Sequence, residues 1–80
     1  MKLLTEIHYN CVNFHGIEIL VHPDVVAIAV NKGGEIHQFF NRPSVLEFNG
    51  AWEDYYEDDG LYCGEVDLEG MDWRDTLVEV

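Results

Sequence analysis

The chain has 80 residues, with 16 acids against four lysines and arginines and a formal net charge of −12. That balance excludes nucleic acid as a direct ligand, because Lys2, Lys32, Arg42 and Arg74 form no basic stripe and cannot offset phosphate repulsion from so many carboxylates. It also disfavours membrane attachment: no apolar run approaches the roughly 20 residues that span a bilayer, and anionic headgroups repel an anionic surface.

The chain opens on a mixed run, Lys2 to Tyr9, that reads as a strand. A clearer strand follows from Gly16 to His22, with Ile17, Ile19 and Val21 on one face and Glu18, Leu20 and His22 on the other. His22-Pro23-Asp24 reads as a turn. Val25 to Val30 is a short apolar run, and Glu35 to Phe40 a second one, joined by Asn31-Lys32-Gly33-Gly34. This is the best hairpin signal in the chain, since glycine takes the positive φ of a tight connection without a steric cost. The pattern resets at Asn41-Arg42-Pro43, after which Ser44 opens a short turn or Val45 to Phe48 makes a brief strand.

From Asn49 to Gly60 the composition favours a loop or one short helix, with Trp52, Tyr55 and Tyr56 at helical spacing and Asp58-Asp59-Gly60 as the stop. Leu61 to Glu69 alternates again. Tyr62, Gly64, Val66 and Leu68 fall on one side of it, and Cys63, Glu65, Asp67 and Glu69 on the other, before Gly70 breaks it. Asp72 to Val80 closes the chain as a strand with Trp73 as a core anchor. Together these elements predict a mainly β fold, a small antiparallel sheet or partly open barrel with room for one short helix. With 48% hydrophobic and 12% aromatic residues the chain suits one globular domain over residues 1–80, although a chain this short buries only about 60% of its unfolded surface.

The charge is unevenly placed. Twelve of the acids and a single base, Arg74, lie from Glu47 to Val80, a net −11, against about −1 for the preceding residues. The tract is unlike a disordered acidic tail because apolar and aromatic residues are interleaved throughout it. If Leu61 to Glu69 is extended, Glu65, Asp67 and Glu69 project from one face about 6.6 Å apart, close to two phosphate steps of about 3.4 Å. With Glu53, Asp54, Glu57, Asp58 and Asp59 on the adjoining segment, they would offer carboxylates to arginines and lysines that ordinarily hold phosphates. Exposed Trp52 or Tyr55 would supply the apolar contact. The competing reading is a solvated face, where charge runs usually lie.

Other chemistries have less to stand on. His8-x-x-Cys11-x-x-x-His15, with His22 beyond and Cys63 distant, contains zinc ligands without the paired Cys-x-x-Cys spacing. No metal or other cofactor is therefore expected, Cys11 is read as a small buried hydrophobe, and the histidines as turn or surface residues. No spacing marks a nucleophile beside an oriented base, and Gly33-Gly34 lacks the continuation of a phosphate loop, so the chain is read as a non-enzyme. Two cysteines allow at most one disulfide. With the segments of a secretory signal missing from Met1 to Asn10, they are read as reduced thiols of a cytoplasmic protein.

Val25 to Phe40 with its Ile28-Ala29-Val30-Asn31-Lys32-Gly33-Gly34-Glu35-Ile36 core, then Pro43, and finally Gly64 to Leu77 through Gly70-Met71-Asp72-Trp73-Arg74, resemble small uncharacterised acidic proteins of tailed phages and prophages. The resemblance covers half to two-thirds of the chain and implies a host-interaction or accessory role in the host cytoplasm, with no residues to carry over. Joined to the charge pattern, it gives the expectation of a binder and inhibitor of a basic host protein that handles nucleic acid, a charge mimic of nucleic acid. The alternative is a structural or self-assembling phage protein, a homodimer included, whose acids only solubilise it.

Overall fold

The computed structural model describes residues 1–6 and 8–80. Among them are eight short strands in three antiparallel sheets. The middle of the molecule is a four-stranded sheet whose centre is the hairpin of β3 (Ala27–Val30) and β4 (Glu35–Phe39), in register from Ala27↔Phe39 to Val30↔Ile36. All four residues of β3 are buried, which is why its sequence is a continuous apolar run without alternation. At the turn, Asn31 Oδ1 accepts from the amides of Gly33 and Glu35 at 3.0 Å each. Gly34 takes φ +87°, and a Cβ there would stand 2.5 Å from the carbonyl oxygen of Val66. Only glycine fits that approach.

On one side β4 pairs with β7 (Leu61–Glu65); on the other β3 pairs with β8 (Val78–Glu79). The β3–β8 ladder reaches only Ile28↔Val78. Beyond it the chain turns through a 3₁₀ turn at Trp73–Asp75, and a buried side chain takes over from the ladder: Thr76 Oγ1 accepts from the amide of Val30 at 2.9 Å and donates to Trp73 O at 2.7 Å.

A hairpin packs on each face of this sheet. Ile28, Val30 and Ile36 pack with Phe14, Val21 and Val25, and with Val12 and Ile19 at the margin, so this face is covered by the hairpin of β1 (Asn10–Phe14) and β2 (Ile17–Val21). Gln38 Nε2 ties the layers by donating to Leu20 O. The opposite face, Ala27, Ala29 and Phe39, packs with Trp52, Trp73, Val45 and Leu77 beneath the hairpin of β5 (Ser44–Leu46) and β6 (Ala51–Glu53). The sheets do not close into a barrel.

Several expectations need correction. The run Lys2 to Tyr9 forms no strand among its described residues, and Ile7 lies outside them. The pairing partner of β2 is instead Asn10–Phe14, joined by a two-residue turn in which His15 and Gly16 have φ of 50° and 88°. Asn49 ends a 3₁₀ turn over Glu47–Asn49, and the rest of the segment to Gly60 contains no helix: β6 is a strand that pairs with β5, and an aspartate-held turn follows. Leu61 to Glu69 is a strand only as far as Glu65. The pairing with β4 shifts register between Ile36 and His37, and Asp67 Oδ1 then accepts from the Glu69 amide, turning the chain through Glu69 and Gly70 at φ of 50° and 87°. Cys11 is exposed, because Val12 and Phe14 take the inward positions of β1 and leave Cys11 to the solvent face beside Leu20.

Candidate functional site

The residue that organises the acidic segment is Asp54. Its Oδ1 accepts from the amides of Tyr56 at 2.8 Å and Asp58 at 3.0 Å, and its Oδ2 accepts from Asn41 Nδ2 at 3.3 Å. Two backbone bonds, Asp54 N to Asp58 O and Glu57 N to Asp54 O, close the turn around it. Asp54 is buried, so it is a turn-forming residue and not, as expected, part of a recognition surface. A carboxylate is the side chain that can accept several bonds at once in a bend of this kind. What it holds outward is Tyr55, which is 90% exposed, together with Tyr56 and the carboxylates of Glu57, Asp58 and Asp59. The two tyrosine rings meet edge to face at 5.4 Å between centroids. Asp58 has a further duty, accepting from the Gly60 amide.

Trp52 is not on this surface. It is 6% exposed, its Nε1 donates to Val30 O at 3.0 Å, and its ring stands perpendicular to that of Trp73 at 6.3 Å. The expectation of an exposed Trp52 fails because β6 is a strand: Ala51 and Glu53 flank a single inward position, and the bulky ring fills it. Glu53 is half-buried opposite Ser44.

The expected row of Glu65, Asp67 and Glu69 is divided. Glu65 remains in the sheet, directly opposite Glu35 of β4. Asp67 belongs to the turn and lines a separate cavity of about 60 Å³ with Phe14, His15, Ile17 and Met71. Glu69 is exposed beyond it. The row fails because its alternation of exposure continues to Glu69 while the ladder stops at Glu65.

What the fold does bring together is a cluster that strand alternation alone would have pointed to. Glu35, His37 and Phe39 share one face of β4, and Glu65 and Tyr62 lie across from Glu35 and His37. Like charges directly opposite in an antiparallel pair are unfavourable. Asn31 Nδ2 at 3.3 Å and His37 Nε2 at 3.4 Å both approach Glu35 Oε2, while Tyr62 donates its hydroxyl to Glu65 Oε1 at 3.4 Å. Partial desolvation raises the Tyr62 phenol above its ordinary range, and the Glu65 and Glu35 carboxylates add to the rise. With its proton on Nε2, His37 keeps Nδ1 as a fully buried acceptor that no donor reaches among the described residues. Nearby, the Cys63 thiol donates to Ile36 O, and burial pushes it up despite a hydrogen bond with Gln38 that acts the other way.

Beside this cluster is a cavity of about 90 Å³. Its walls are the small side chains of Ala29 and Ala51 and the rings of Phe39, Trp52 and His37; Asn31, Glu35 and Asp59 complete it. The cavity therefore joins the loop acids to the sheet acids through Asp59 and Glu35, a connection that depends on chain crossing and strand register. Glu35, His37 and Asn31 were not among the candidates read from the sequence.

The molecule's arginines are committed elsewhere. Arg74 grips Asp72 at 2.6 Å and approaches Glu47 at 3.4 Å, and Arg42 pairs with Glu79 at 2.6 Å. The hydrogen bond from the Arg74 guanidinium, joined by its backbone amide, holds the Asp72 carboxyl down at about 2. Among the described residues no group of three or more His, Cys, Asp or Glu is arranged to hold a metal ion, and no helix is long and apolar enough to cross a membrane. Comparison with protein-family models, curated proteins and solved structures gave no match.

Proposed function

We propose that the chain is a binding module that captures a basic protein surface. The observation that carries this reading is the Asp54-held turn, which fixes Tyr55, Tyr56, Glu57, Asp58 and Asp59 outward on one short segment of a chain whose arginines are already paired. Carboxylates in such a display steer encounter over a Debye length of roughly 8–10 Å, and the tyrosines contribute contact that salt does not screen. In the phage setting that the sequence resemblance implies, the target is a host protein that handles nucleic acid, blocked by occupancy of its phosphate-binding surface and without catalysis. Replacing Tyr55 would then mainly speed release.

The test is capture from a host extract on immobilised protein over a range of salt, followed by elution with duplex DNA. Retention of a basic protein at low salt, its loss as salt rises and its displacement by DNA are expected. Absence of any retained basic protein at low salt, or a retained protein that still binds DNA, would contradict the reading. A second reading, self-assembly into a structural phage component, is favoured by one feature: β7 is an outer strand of its sheet, with no further pairing partner among the described residues, and its Leu61 and Tyr62 are exposed. Concentration-dependent oligomers in sedimentation would support it.

A further inference from the structure

We infer that the cavity between β4, β6 and the acidic turn is a guanidinium site, filled by an arginine side chain of the basic partner. This rests on the proposed function for the source of the arginine but not for the chemistry of the site. Size comes first. At about 90 Å³ the cavity is smaller than the roughly 150 Å³ cavity that admits benzene, which suits a planar head of a few heavy atoms. The room exists because Ala29 and Ala51 are small where the facing strands approach.

Charge comes second. Asp59 and Glu35 both line the cavity, Glu65 stands across from Glu35 on β7 and outside the lining, and both arginines of the chain are engaged elsewhere. Glu35 is held in place by Asn31 and His37, both directed at Oε2, which leaves Oε1 outside that pair of bonds. Two carboxylates present the acceptors that a guanidinium fork matches. The walls come third. The rings of Trp52 and Phe39 are the apolar surface over which a flat, weakly hydrated guanidinium stacks, whereas a compact, strongly hydrated ammonium gains less there. The cluster is also short of donors, since the opposed glutamates have only the bonds given above. A cation supplies what this arrangement lacks.

The experiment is titration of the folded protein with methylguanidinium and, separately, with a capped arginine tripeptide, followed by amide and indole NMR, with methylammonium and potassium as controls. Saturable shifts at Trp52, Ala29 and His37 are expected, with affinity on the order of millimolar for so small a ligand and weaker binding of methylammonium. Glu35→Gln with Asp59→Asn keeps the side-chain shapes and should weaken methylguanidinium by about 10–100-fold while the protein stays folded, the range for losing charge-assisted hydrogen bonds. Ala29→Val, which narrows the cavity, should also weaken it, and the isosteric pair decides the matter if that variant folds poorly. Shifts that rise linearly over the whole acidic surface, or that potassium reproduces, would overturn the site, as would full affinity in the isosteric pair. Seating of methylguanidinium but not of the tripeptide would overturn the arginine source alone. DNA-displaceable capture that survives the isosteric pair would remove the cavity from the proposed function and leave that function standing.

Discussion

Thr76→Val removes one oxygen atom at the point where the central sheet gives out. Thr76 is 1% exposed. Its hydroxyl serves two groups, accepting from Val30 N and donating to Trp73 O, and valine has nearly the same shape without either capacity. Valine leaves the buried Val30 amide without a partner, at about 1–3 kcal/mol, while Trp73 O keeps the Thr76 backbone amide as its donor at 3.3 Å. An 80-residue chain has a total stability of about 4–12 kcal/mol, so the variant loses a substantial share of it, or roughly 4–24 °C in melting temperature. Thr76→Ser keeps the hydroxyl, loses a methyl group and should cost about 1 kcal/mol. Urea unfolding followed by tryptophan fluorescence reads the event directly, because Trp73 is the carbonyl partner of Thr76 and packs against Trp52. If valine costs no more than about 0.5 kcal/mol, or if serine costs as much as valine, the hydroxyl does not continue the sheet in the manner described.

Two further stability predictions use the same assay. Gly34→Ala should cost clearly more than Gly16→Ala: both positions have positive φ, about 1–2 kcal/mol of strain for alanine, but the new Cβ meets Val66 O at Gly34 and open space at Gly16; equal costs would contradict the close approach of the two segments. For Asp72, the folded carboxyl is lowered from 3.8 to about 2 by Arg74, so its contribution is full above the unfolded value and is lost as pH falls through the folded one. Wild type should therefore lose its advantage over Asp72→Asn between about pH 4 and pH 2, and a gap that stays constant across that window would contradict the pairing.

The parts of the fold legible in the sequence are those whose signals are local. The β3–β4 hairpin was readable because two β-forming runs flank a glycine-rich turn, and Trp73 as a core anchor because a lone tryptophan in a short closing segment has little else to do. The β1–β2 hairpin was half hidden, since its turn is His15-Gly16 and histidine is a less familiar occupant of the left-handed region than asparagine or aspartate. Trp52, Tyr55 and Tyr56 imitate helical spacing, but pairing of β6 with β5 decides the matter from outside the segment. Asp54 and Asp59 are indistinguishable as letters; one is buried as the hub of a turn and the other lines a cavity. The cavity and the Glu35↔Glu65 pair were beyond reach, because both depend on register between strands far apart in the chain.

Local charge, and not charge in bulk, is the claim on which the functional account depends. It is tested most directly by capture rates for three immobilised proteins: wild type, a Glu57/Asp59/Glu65→Lys triple, and a Glu6/Glu18/Asp24→Lys triple on the other half of the chain. The two triples carry the same net charge and each changes exposed positions. The account predicts that reversal at Glu57, Asp59 and Glu65 slows association at least about tenfold and flattens its salt dependence, while the distant triple keeps most of the wild-type rate. Equal loss in both triples, or none in the first, would contradict it.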